Sequence, residues 1–90
     1  MRLDKFLKVA RLAKRRTAAK EALDAGRIES GGHALKASHQ VKPGEELLIH
    51  YATRSVLVRV LSVPERAGPR VVAEALYHVL SEHAENSSRR

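Results

Sequence analysis

The sequence predicts an α+β fold: two N-terminal helices packed on a small, mostly antiparallel sheet, with a C-terminal helix. Three observations carry that expectation. Apolar residues near the start recur at helical spacing, short β-rich runs separated by Gly and Pro follow from Arg27 onward, and a last helical stripe runs through residues 70–83.

In the first segment, Leu3, Phe6, Leu7 and Ala10 fall at i, i+3, i+4 and i+7 and make one apolar stripe. At about 100° per residue, Lys5, Lys8, Arg11 and Arg15 project to the opposite side. A continued helix would place Leu12 among those cations, so a break is expected between about Arg11 and Arg16. A second helix starts near Thr17, with Ala18, Ala19, Ala22 and Leu23 available to face the first. Gly26 sits where a helix end needs a left-handed residue.

Short strands then follow. Residues 27–30 lead to Gly31-Gly32, a tight-turn pair, and residues 33–36 return as a second strand. Val41-Lys42-Pro43-Gly44 reads as a type II turn, with proline before glycine. Residues 46–51 and 55–63 are two further strands, the second with Val56, Val58 and Val60 alternating against Leu57 and Leu61. Residues 64–69 form a loop. The helix expected at 70–83 carries Val72, Ala75, Leu76, Val79 and Leu80 on one stripe. The chain thus reads as one domain over 1–84 and a flexible polar tail over 85–90.

Composition narrows the function. Ninety residues hold one modest core, and 43% hydrophobic with 30% charged residues is ordinary for a globular chain. No run approaches the roughly 18 apolar residues of a membrane span, and the opening MRLDKFLK lacks a secretory signal's apolar stretch. There is no cysteine, which excludes disulfides, thiolate catalysis and cysteine-ligated zinc. A cytoplasmic location fits these features.

The net charge of +7 has an address. Residues 1–20 carry eight basic groups and one acid, whereas the rest of the chain carries nine of each. A concentrated patch of this kind calls for a polyanion. The expected RNA contacts are Arg2, Lys5, Arg11, Lys14, Arg15 and Arg16, flanked by Lys20 and Lys36. Arginine supplies a planar fork for phosphate and lysine a point charge. Asp4 is read as a local partner that opposes the helix dipole or orients Arg2 or Lys8. Thr17 is read as a helix cap rather than a ligand, and Ser38 as a loop donor to phosphate or merely a polar residue. The three aromatics, Phe6, Tyr51 and Tyr77, are too few for successive base stacking, so folded RNA recognised by shape is the better partner. His33, His39, His50, His78 and His83 are scattered and form no metal site. No nucleophile–base arrangement shows, so neither cofactor nor catalysis is expected.

The string RLDKFLKVARLAKRRTAAKEALDAGRI, then a Gly-Gly turn and ALKASHQVKPGEELLI, resembles the RNA-binding domain family named after ribosomal protein S-four. Arg2-Leu3-Asp4, Ala10-Arg11, Arg16-Thr17, Gly26, Lys36, Ser38 and Pro43-Gly44-Glu45 match its pattern in order, over about residues 2–50. The Gly31-Gly32 pair replaces the family's usual Asn-Gly. The short C-terminal part favours the family's small ribosome-associated quality-control members over a related heat-shock protein with a long basic extension. The resemblance implies binding to ribosomal RNA of the large subunit obstructed by peptidyl-tRNA, in ribosome-associated quality control. It also implies contact with tRNA and support of a factor that tails the nascent chain. The chain is expected to act as a monomer, without a membrane.

Two other readings stand beside this one. Two opening helices could be a helix-turn-helix DNA-binding regulator, although the alanine-rich second segment with Glu21 and Asp24 suits packing better than a groove. The 70–83 helix could instead serve as a protein-interaction module.

Overall fold

A computed structural model describes residues 1–65 and 71–84. Helices α1 (Leu3–Val9) and α2 (Arg16–Asp24) are followed by strands β1 (Ile28–Ser30), β2 (His33–Ala34), β3 (Glu46–His50), β4 (Arg54–Val60) and β5 (Tyr77–Ala84). The strands form one sheet in the order β2-β1-β3-β4-β5, every pair antiparallel. Alternation decides its two faces. Ile28, Leu47, Ile49, Val56, Val58 and Val60 point into the core, where Leu3, Phe6, Leu7, Ala10, Ala19 and Leu23 of the helical hairpin cover them. Each large side chain so enclosed contributes about 1.5–3 kcal/mol. Glu29, Glu46, His50 and Arg59 occupy the other face.

The helix ends show how the hairpin turns. After α2, the N–H of Gly26 donates to Leu23 O and that of Arg27 to Ala22 O, with Gly26 at φ +74°. After α1 the same pair recurs, Arg11 N–H to Lys8 O and Leu12 N–H to Leu7 O, but the left-handed position is held by Arg11 at φ +60°. Both are Schellman ends. The expected break is therefore present, and α1 stops before the cations of 11–16.

Gly31 and Gly32, at φ +60° and +83°, close the two-residue hairpin between β1 and β2. Gly44 at φ +94° follows Pro43, and Glu45 N–H donates to Lys42 O at 3.2 Å, the expected type II turn. The N-terminus is pinned to the loop before β3. Leu3 N–H donates to His39 O at 2.8 Å, Val41 N–H to Met1 O at 3.0 Å, and Arg2 bridges Gln40.

The expected C-terminal helix does not form. Ala73–Ala75 make a single 3-10 turn, and residues 77–84 are strand β5, paired with β4 from Val60↔Tyr77 to Arg54↔Ala84. The α+β class stands, but its third helix is replaced by an edge strand. The reason lies in β4, whose outer edge would otherwise carry a row of unpaired N–H and C=O groups. A ladder spanning all of β4 outweighs an isolated short helix, which is marginal in water. One irregularity, between Leu57 and Val58, shifts the register. The stripe of Val72, Ala75, Leu76, Val79 and Leu80 is thereby broken up: Leu76 is buried, while Val72 and Val79 are exposed. The interaction module built on that helix falls with it. Strand β2 is shorter than expected, and β4 runs from Arg54 to Val60 rather than over 55–63. Most of the 64–69 loop and all of the 85–90 tail lie outside the described residues.

Candidate nucleic-acid interface

The interface starts from a buried carboxylate. Asp4, with its side chain 4% exposed, lies in the first turn of α1 and accepts the Lys5 backbone N–H at 2.8 Å. Two guanidinium groups converge on it. Arg2 Nε lies 3.3 Å from Oδ1 and Nη2 3.5 Å from Oδ2, while Arg16 Nε lies 3.2 Å from Oδ2 and Nη2 3.5 Å from Oδ1. Burial pushes the carboxyl up, but the Arg16 hydrogen bond, the Lys5 N–H and the charges of Arg16 and Arg2 outweigh it. The net result is an Asp4 held below its usual range.

This arrangement braces two cations without neutralising them. One carboxylate serves two arginines, and the Arg2 and Arg16 side chains remain 47% and 50% exposed. Their forks are held at one edge and keep outward N–H donors for an acceptor such as phosphate. An arginine loses about 2 kcal/mol of rotamer freedom when fixed, and here much of that ordering precedes any ligand. Lys20 and Thr17 on α2 complete a shallow depression of about 310 Å³ around the trio. On the other side of Arg2, Lys36 and Ser38 border a second open depression of about 500 Å³.

The cationic cluster expected from the sequence is thus divided. Arg2, Arg16, Lys20 and Lys36 gather at the start of α1, with Asp4, Thr17 and Ser38 beside them. Arg11 and Lys14 instead line a groove of about 460 Å³ between the hairpin turn and the sheet, together with Arg27 and Arg54. Lys5 and Arg15 border neither of the first two depressions. Asp4 orients Arg2 as expected, but its second partner is Arg16, not Lys8. Thr17 is not the cap of α2: Arg15 holds that position, with no side-chain hydrogen bond. Arg27 and Arg54 were not visible as site residues in the linear sequence, because only the pairing of β1, β3 and β4 carries them to the groove.

Tyr51 ties that groove together. Its hydroxyl donates to Leu12 O at 2.7 Å, joining the end of β3 to the hairpin turn, and the Arg54 guanidinium lies 5.2 Å from its ring centre. Burial raises the phenol above its ordinary range, partly offset by Arg54, so it remains a donor.

The outer sheet face also holds a contact that the sequence did not show. His50 lies 2.8 Å from Glu29 Oε2 and 3.0 Å from Ser55 Oγ, a carboxylate–imidazole–hydroxyl line. Strand pairing accounts for it, since His50 stands opposite Ser55 and β1 neighbours β3. Among the described residues, no group of three His, Asp or Glu side chains could hold a metal ion, and no helix is long and apolar enough to cross a membrane.

Comparison with known proteins places the chain in a family. The family model described as the S4 domain matches residues 1–47. The RQC P-site tRNA stabilizing factor of Bacillus subtilis is 48% identical over 82 residues, covering 91% of this chain and 94% of the relative. The factor of the same name from Listeria innocua is 42% identical, with 99% and 96% covered. A heat shock protein 15 homolog from Aeromonas salmonicida is 32% identical over 100% of this chain and 71% of its own. Among solved structures, trimeric Vibrio cholerae heat shock protein 15 superposes with a TM-score of 0.78 at 24% identity, covering 88% of this chain and 80% of that one; it supports the fold. The solution structure of the hypothetical protein HP1423 gives 0.74 at 30% identity, with 90% and 98% covered. The chain belongs to the S4 domain family, within its group of RQC P-site tRNA stabilizing factors.

Proposed function

We propose that this chain is an RNA-binding accessory factor of the large ribosomal subunit, acting in ribosome-associated quality control of stalled nascent chains. In this reading it contacts ribosomal RNA and P-site tRNA, supports a nascent-chain tailing factor, and works as a cytoplasmic monomer that binds rather than catalyses. The observation that carries the reading is the pair Arg2 and Arg16, braced on buried Asp4 with half of each side chain facing solvent. A polyanion with regularly spaced phosphates is the ligand for which such forks are prepared. The names of the relatives supply the ribosomal setting, and membership of the S4 domain family supports RNA as the polyanion. Lys5, Arg11, Lys14, Arg15, Lys20 and Lys36 are assigned to the same RNA-binding role, on neighbouring surfaces.

The test is co-sedimentation with purified large subunits carrying P-site tRNA. Arg16→Ala and Arg2→Ala are expected to weaken binding about tenfold each, the loss of one charge-assisted contact, with the circular-dichroism spectrum unchanged. Equal sedimentation of both variants and the parent would remove this site assignment. Preferential binding to duplex DNA in competition would move the chain to the helix-turn-helix reading.

A further inference from the structure

We infer that the groove between the hairpin turn and the sheet is a second RNA subsite, which accepts one unstacked nucleotide. This rests on the RNA-binding reading above and adds to it a distinct place and a distinct ligand conformation.

Charge is the first argument. Four cations, Arg11, Lys14, Arg27 and Arg54, line the groove, and no carboxylate does. Arg54 reaches Glu82 at 3.2 Å, but both side chains are half exposed and such a pair holds weakly. The occupant therefore carries negative charge.

Shape and polarity are the second. Apolar residues share that lining with the cations: buried Ala19, Ile28 and Ile49 give the groove its floor, and half-buried Ala22 and Tyr51 and exposed Ala18 border it. A volume of about 460 Å³ lies within the ordinary range of small-ligand pockets. A flat base covers the floor and its phosphate meets the rim. Tyr51 is already fixed through its hydroxyl on Leu12, and Arg54 offers a second planar group beside it. A continuous duplex cannot enter, because its bases are stacked and paired.

The third argument comes from the backbone. Both helices end in the same hydrogen-bonded turn, and the left-handed position is glycine after α2 but Arg11 after α1. A side chain there is strained, and nothing would meet a glycine's added atom at the equivalent Gly26, so crowding does not select between them. What arginine adds at position 11 is its guanidinium on the groove rim. Among the described residues, Arg11, Lys14 and Arg27 have no acidic partner to occupy them.

The probes are two RNA hairpins of equal length and charge, one fully paired and one with a single bulged nucleotide, titrated against the full chain. The bulged hairpin should bind at least about fivefold more tightly, the lower end of what one stacked base contributes. Ala18→Leu, which narrows the groove from its border without changing charge, should abolish that preference and leave affinity for the paired hairpin intact. Arg11→Gly should weaken the preference while the thermal midpoint rises, since it relaxes the strained turn and so cannot act through unfolding. A bulged 4-thiouridine should crosslink to the peptide containing Tyr51. Equal affinity for the two hairpins, or a preference that survives Ala18→Leu, overturns the subsite while leaving the Asp4-braced interface standing. An acidic peptide in the groove would give that second result. Failure to bind either hairpin would overturn the RNA reading itself.

Discussion

At the scale of single residues, Asp4 couples the fold to the interface. A carboxylate this deeply buried is tolerated because donors from three residues face it, the Lys5 backbone N–H and the guanidinium groups of two arginines that are far apart in sequence but close in space. Its pKa is depressed in the folded state, so it contributes stability that is present above the ordinary value of 3.8 and is lost as pH falls through the folded value. Asp4→Asn keeps an acceptor of the same shape and removes the charge. It should cost about 1–3 kcal/mol at neutral pH, the usual range for hydrogen bonds to a charged group. The difference from the parent should shrink well below pH 4, where the parent's carboxyl also protonates. Urea midpoints for both proteins at about pH 7 and about pH 2.5 check this. A gap of equal size at both pH values would show that the charge on Asp4 is not its source.

At the scale of elements, local spacing was a good guide wherever a segment's partners are its sequence neighbours. The α1 stripe of Leu3, Phe6, Leu7 and Ala10, the glycine turn at 31–32 and the Pro43-Gly44 turn all formed where their patterns indicated. The 70–83 stripe misled because its helical spacing carries no information about the open edge of β4, some twenty residues earlier, which decides the conformation of 77–84. Strand β5 therefore owes its conformation to tertiary pairing, which overrides weak local preference. This gives a direct check at Ser81, which is exposed and stands opposite Leu57. Ser81→Thr should stabilise a strand by about 0.5 kcal/mol and raise the thermal midpoint by roughly 2–4 °C. A helix at this position would gain nothing from the same β-branched residue. A lowered midpoint, with slower amide exchange in an i to i+4 pattern across 77–84, would restore the helix.

At the scale of the whole molecule, charge position was legible in the sequence and charge grouping was not. The excess does lie in residues 1–20, yet folding sends Arg2, Arg16 and Lys20 to one surface and Arg11 and Lys14 to another. Arg16 meets Asp4 only because the hairpin folds twelve residues back on itself, and Arg27 and Arg54 join Arg11 only through the sheet. The binding free energy should therefore depend on where a cation sits rather than on net charge. For about five phosphate contacts, log K against log salt should fall with a slope of roughly −3.5 to −4.5. Arg16→Ala should reduce that magnitude by about 0.7–0.9, one contact's share. Arg59→Ala removes the same formal charge from the outer sheet face, where the guanidinium already lies 3.1 Å from Glu46, and should leave the slope unchanged. Filter binding of a ribosomal RNA fragment across a salt series measures all three slopes. If the two variants flatten the dependence equally, the molecule attracts RNA by its overall charge and the braced pair at Asp4 has no special part in binding.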